Sequence, residues 1–178
     1  RLSGKACDGV RLHPFCTRAY LEEVVMARIN EGLDKTGRTR GSFEVTGGGF
    51  IATGETEEDV DKVAEWVRYR IAFYGSTPSY WPVFEHHGYG DLGRKLNRMT
   101  KEGKWNEIAR EIPDDVLHLF AVIAPYGQLE NAIIKRFGGV VDAIYASTSQ
   151  DIRPQIPSDV LQDIGRIPTA FNGFGTNW

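Results

Sequence analysis

A chain of 178 residues with a net charge of −3 is long enough for one domain with a proper core, and it lacks the basic excess of a nucleic-acid surface. Its 41% hydrophobic and 25% charged residues place it with soluble globular domains. No apolar run reaches the length of a membrane span and no signal peptide opens the chain, so no membrane partner is expected.

In chain order, the opening Arg1-Leu-Ser-Gly-Lys-Ala-Cys7 reads as the inside or end of a helix. With Arg rather than Met at its start, the chain is expected to begin partway through a larger fold. Cys7 and Cys16 lack CxxC spacing and are read as reduced, structural thiols of a cytoplasmic protein, with a disulfide or a reactive Cys as the lesser alternative. A strand is predicted over residues 9–15, where Val10 and Leu12 alternate with Arg11 and His13 before Pro14 closes it. Thr17 caps a helix to about Lys35, with Leu21, Val24, Val25, Ile29 and Leu33 near one stripe and Gly37 as its stop. A second strand is predicted over residues 43–52, weakened by Gly47-Gly48-Gly49.

Thr56 and Asp59 form a variant capping box in an acidic run that suits a helix N-terminus. Val60, Val63, Ala64, Val67, Ile71 and Tyr74 then recur at helical spacing. The stretch 74–90 follows, dense in aromatics, glycines and histidines, and is predicted to be a long loop of the binding or lid kind. Short helices are expected over residues 92–101 and 104–110. Another starts at Pro113-Asp114 with Val116, Leu117, Phe120 and Ala121 inward, and one more carries Leu129, Ala132, Ile133 and Phe137. Residues 140–146 read as a third strand, and the tail 147–178 as partly irregular with an amphipathic segment near 158–164. Strands alternating with helices make this α/β with parallel strands. The pattern fits the later part of a (β/α)8 barrel carrying a helical and loop insertion. Such a barrel usually takes ~250 residues, so an incomplete barrel is predicted, with residues 1–146 its C-terminal part.

In such a barrel, chemistry gathers at the C-terminal ends of the strands. That selects His13-Pro14-Phe15, where His13 could donate a proton or hydrogen-bond a bound ring, or simply bond a loop carbonyl. It also selects Thr53-Gly54, whose hydroxyl could meet a ligand although a plain strand-to-helix turn is the favoured reading, and Ser147-Thr148. In the 74–90 stretch, His86 and His87 are adjacent, so their side chains diverge and metal binding is not expected; His13 and His118 are the other two histidines. Tyr74, Tyr80, Trp81, Phe84 and Tyr89 read as walls of an apolar pocket or as packing for the stretch itself. Gly47-Gly-Gly49 lacks the Lys-Ser/Thr of a P-loop, and no GxSxG anchors a hydrolase triad.

Four motifs stand in register: Asp8-Gly-Val-Arg-Leu-His-Pro-Phe15, Tyr20-Leu-Glu-Glu-Val24, Phe50-Ile-Ala-Thr-Gly54 and Ile71-Ala-Phe-Tyr-Gly-Ser-Thr-Pro-Ser-Tyr80. Together they resemble the C-terminal half of the luciferase-like monooxygenase superfamily, nearest its coenzyme F(420)-dependent oxidoreductase branch. The resemblance covers residues 1 to about 146. It implies a (β/α)8 barrel with a deazaflavin across its C-terminal mouth and hydride transfer between that ring and a small organic substrate. It places His13 near the ring as the catalytic residue, with Pro14, Phe15 and Thr53 beside the cofactor. Tyr74, Tyr80, Trp81, His86 and His87 are placed near the substrate entrance. Relatives that use FMN activate oxygen instead, and FMN stays open as the alternative cofactor. Ala124-Pro-Tyr126 departs from the Gly-Thr-Pro turn of many relatives. A reading of another class is a non-catalytic half barrel that self-associates or pairs with its missing half.

Overall fold

The computed structural model describes residues 1–145 and 156–174. The chain opens with α1 (Leu2–Ala6) and β1 (Gly9–Leu12), followed by one long helical passage. That passage is α2 (Arg18–Tyr20), a π-helical segment (Leu21–Met26) and α3 (Ala27–Asp34). Thr17 caps it as predicted, its hydroxyl accepting the Tyr20 N–H at 3.2 Å. The π segment inserts an extra residue per turn, so the buried stripe runs Leu21, Met26, Ile29, Leu33 and leaves Val24 and Val25 half-buried. Gly37 follows with φ +66°, the left-handed value that ends a helix.

The predicted strand over residues 43–52 is two strands. β2 (Glu44–Gly47) pairs in parallel with β1 in the register Gly9↔Glu44 to Leu12↔Gly47. β3 (Phe50–Ala52) belongs to a different sheet, paired in parallel with β4 (Ala121–Ile123). The break has a simple cause: Gly47 and Gly48 hold φ of +90° and +100°, a backbone that side-chain-bearing residues avoid. β4 was hidden in the sequence, because Ala121 follows a helical pattern and the strand is three residues long. The strand expected over residues 140–146 is reduced to one parallel bridge, Thr46 to Ala143, with Ala146 outside the described residues. The fold is therefore α/β with two short parallel sheets. Among the described residues no barrel closes, and the arrangement fits part of one.

α4 (Glu57–Gly75) starts at the predicted capping box, with Asp59 N–H to Thr56 Oγ1 at 3.2 Å and Thr56 N–H to Asp59 Oδ2 at 3.3 Å. Val60, Val63, Ala64, Val67 and Ile71 of the predicted stripe are buried, and Tyr74 at its end is half-buried. Each of the larger members stabilises the fold by ~1.5–3 kcal/mol relative to exposure. The expected long loop over 74–90 is mostly helical. α4 runs to Gly75, a 3-10 turn covers Pro78–Tyr80, α5 spans Trp81–His86 and α6 begins at Gly90. Pro78 and Pro82 fall in the first turns of those helices, where a missing N–H costs nothing. α6 ends at Lys101, a 3-10 turn at Ile108–Glu111 replaces the helix expected over 104–110, and α7 (Asp114–Phe120) leads into β4. α8 (Tyr126–Phe137) and α9 (Ser158–Gly165) complete the described elements. No described helix is long and apolar enough to cross a membrane.

Two buried clusters hold these layers. One joins β3, α4, α5, α6 and α7 around Phe50, Ile71, Phe84, Leu96 and Phe120; the other joins the α2–α3 passage, β2 and α8 around Leu21, Leu33, Phe43, Val45 and Phe137. The tail returns to the body through Asp142, whose side chain is 3% exposed. Its carboxylate accepts Arg40 Nη2 and the Val45 N–H, each at 2.7 Å, and the Ala170 and Phe171 N–H groups at 3.1 and 3.0 Å.

Candidate functional site

β1 ends at Leu12, and the next three residues turn sharply. Pro14 C=O accepts the Cys16 N–H at 2.8 Å, which drives Phe15 inward to 2% exposure and leaves His13 exposed. Phe15 forms the floor: its ring lies 4.5 Å from Phe120, 5.1 Å from Phe84 and 5.4 Å from Tyr80. His13 stands above it between two tyrosines, with ring centroids 4.5 Å from Tyr74, edge to face, and 4.8 Å from Tyr80. Three stretches far apart in sequence thus meet at one strand end.

The protonation of His13 follows from its partners. The Phe15 N–H donates to His13 Nδ1 at 3.1 Å, so Nδ1 must hold a lone pair. In the neutral ring the proton then sits on Nε2, which faces the Tyr80 hydroxyl across 3.4 Å. That contact is long for a hydrogen bond, so a closer acceptor on a bound molecule can replace it. Burial, and then the positive charge of Arg70, hold the His13 pKa below the ordinary imidazole value of 6.5. His13 is therefore a neutral donor at physiological pH.

The other residues singled out in the sequence divide between this place and others. Trp81 packs elsewhere: its indole N–H donates to Gly75 C=O at 3.1 Å, and its ring fills the space where a Cβ on Gly93 would stand 2.7 Å away. His86 turns to Glu23 at 3.3 Å and to the Tyr20 ring. His87 turns to Thr17, with Nε2 2.7 Å from the hydroxyl, so the two adjacent rings do take different partners. Burial first, then His86 and Arg136, lower the His87 pKa. Thr53 is buried in the turn after β3, its hydroxyl without a partner, while flanking Ala52 and Gly54 carbonyls accept the N–H groups of Ala124 and Tyr126. It sits at the β3–β4 junction. Ser147 and Thr148 lie outside the described residues.

A cavity of about 610 Å³ opens on the His87 side, between Thr17–Glu22, β4 and α8. Arg136 forms its inner wall and donates to Cys16 C=O at 2.6 Å. Burial pushes the Arg136 pKa down to about 10, still charged at neutral pH, and pushes the neighbouring Cys16 thiol up to about 11, which keeps it protonated and unreactive. Cys7 is exposed, and both thiols are free.

A protein-family model described as luciferase-like monooxygenase matches residues 1–143. The chain belongs to that family. Proteins of Mycobacterium bovis and of two strains of Mycobacterium tuberculosis, each described as uncharacterised, are 38% identical over 153 residues. The match takes in 84% of this chain, which spans 45% of the length of those relatives. The coenzyme F(420)-dependent tetrahydromethanopterin reductase of Methanopyrus kandleri has a similar fold, with a TM-score of 0.65 at 18% identity over 93% of this chain and 45% of that one.

Within this luciferase-like chain, two basic residues at the sites escaped the sequence reading. Arg70 was legible, since Trp66 and Tyr74 stand four residues to either side on α4, the spacing that stacks side chains on one face. Arg136 was not, because nothing near it in sequence marks a burial that depends on Cys16 and Phe120, both distant in the chain.

Proposed function

We propose that this luciferase-like protein is an oxidoreductase that transfers hydride between a deazaflavin, coenzyme F(420), and a small organic substrate, at the strand end marked by His13. The observation that carries the reading is the tautomer of His13. With Nδ1 occupied by the Phe15 N–H, the ring offers an Nε2–H donor at the mouth. Family membership supports the oxidoreductase class. The likeness to a reductase named for coenzyme F(420) favours the deazaflavin over FMN.

The residues present fit a flat, carbonyl-bearing ring along one edge. His13 supplies a neutral donor for a ring acceptor, while Tyr74 and Tyr80 supply apolar ring surface with hydroxyls at the rim. When bound, the deazaflavin would supply the hydride chemistry. The protein's task is then orientation. Phe15 holds the floor, Tyr74 and Tyr80 limit water at the ring, and His13 keeps its proton on Nε2 rather than releasing it. In the same reading, a second copy or a partner supplying further barrel strands meets the outer edge of β1, which pairs only with β2 among the described residues. A stable, well-folded monomer of the 178-residue chain in a size-exclusion mass measurement contradicts that pairing.

Titration of the full-length protein with the deazaflavin and with FMN, read by absorbance, tests the cofactor. Tight FMN binding without deazaflavin binding favours the flavin monooxygenase instead. In the complete protein, His13→Ala is expected to lower turnover far more than thermal stability; unchanged turnover with a lowered Tm gives His13 a structural role.

A further inference from the structure

Arg70 is held by rings where its neighbour on α4 is held by carboxylates. Two residues earlier on α4, Arg68 pairs with Glu65 at 2.9 Å and Asp114 at 2.7 Å, and Arg40 pairs with Asp142. Arg70 meets no carboxylate among the described residues, although the chain carries 24 acidic side chains against 21 basic ones. Its guanidinium lies among rings instead, 4.7 Å from the Tyr74 centroid, 5.4 Å from Phe73 and 5.5 Å from Trp66. Of the five N–H groups that a guanidinium carries, one bonds the Tyr74 hydroxyl, and Nε is buried without an acceptor.

The same Tyr74 ring packs against His13, and the charge of Arg70 reaches that imidazole. The rings hold the half-buried guanidinium in place and partly shield it, conditions that strengthen its attraction for an anion. The outer N–H groups that Tyr74 does not take, those on Nη1 among them, match a carboxylate or a phosphate, whose oxygens accept paired N–H bonds.

From this we infer that Arg70 is an anion-binding residue of the His13 mouth, and that the molecule taken there carries a carboxylate or a phosphate. The inference rests on reading the mouth as a ligand site, and it names the chemical class of what enters. A merely structural Arg70 would brace Tyr74 and bind nothing.

The test uses inorganic phosphate and acetate as separate probes, titrated into the full chain at low ionic strength while side-chain NMR signals of Arg70, Tyr74 and His13 are followed. Saturable shifts at those three residues are expected. Arg70→Gln should weaken them about tenfold or more, and Arg70→Lys should retain part of the affinity. Response to phosphate alone assigns a phosphate-bearing ligand, and response to both assigns the anionic group in general. Absence of saturable shifts at Arg70 in the wild-type chain overturns the inference, whether or not either variant folds. So do equal affinities in wild type and a folded Arg70→Gln. Failure of the deazaflavin to bind, with the anion response intact, overturns the cofactor reading and leaves this one standing.

Discussion

Replacing Phe15 by alanine tests whether the site and the core are one construction. Phe15 is 2% exposed and touches Phe84 and Phe120 below and Tyr74 and Tyr80 above, with centroid separations of 4.5 to 6.4 Å. Truncation removes the burial of an aromatic ring and leaves a cavity that the fixed helices α4 and α7 can only partly close, a loss of ~3–5 kcal/mol. For a domain of this size each kcal/mol lowers Tm by ~2–4 °C, so a fall of roughly 6–20 °C is expected. Phe15→Leu, which refills most of the space, should cost less than about 1.5 kcal/mol. Urea denaturation read by fluorescence and far-UV circular dichroism measures both. A loss below about 1 kcal/mol for Phe15→Ala would mean that the ring is not the floor of the His13 cluster, and the link drawn between core and mouth would be wrong.

Asp142→Ala removes one carboxylate and strands Arg40 with the Val45, Ala170 and Phe171 N–H groups; a loss of ~3–5 kcal/mol in denaturant unfolding is expected, with early loss of protease protection around residues 156–174. Gly32→Ala places a Cβ 2.3 Å from the Arg1 carbonyl, where α1 crosses α3, and should cost ~1–3 kcal/mol by calorimetry. The lowered pKa values of His13 and His87 make the unfolded chain bind more protons than the fold. Stability is then full above pH 6.5 and falls as pH drops from 6.5 through the lowered folded values. A double His13→Gln, His87→Gln variant should flatten that part of the pH–stability curve, and an unchanged slope would assign it to other groups.

The helices were legible wherever a start signal met a clean stripe. Thr56 with Asp59 fixed the start of α4, and Val60 to Ile71 fixed its buried face. The strands were less so, for reasons of length and partnership. β3 and β4 are three residues each, too short for alternation to register, and β4 is defined by its pairing with β3 rather than by its own pattern. Residues 74–90 looked like loop because Pro, Gly and His interrupt the apolar period. In the fold those prolines sit at helix starts, and the glycines allow close packing, as at Gly75 against Phe84. For the site, a histidine at a strand end was readable, and so were the tyrosines beside it. That Trp81, His86 and His87 face other surroundings depends on how α5 turns against α6 and against the helical passage after Thr17, which no local pattern encodes.

The central claim is that a deazaflavin binds at the His13 mouth, and nitrogen NMR of a full-length protein labelled at its histidines tests it most directly. On titration with the deazaflavin, the His13 Nε2–H signal should shift and saturate with binding while Nδ1 keeps its unprotonated character. A deazaflavin that binds without moving His13, or an Nε2 signal that responds to FMN and not to the deazaflavin, would contradict the account.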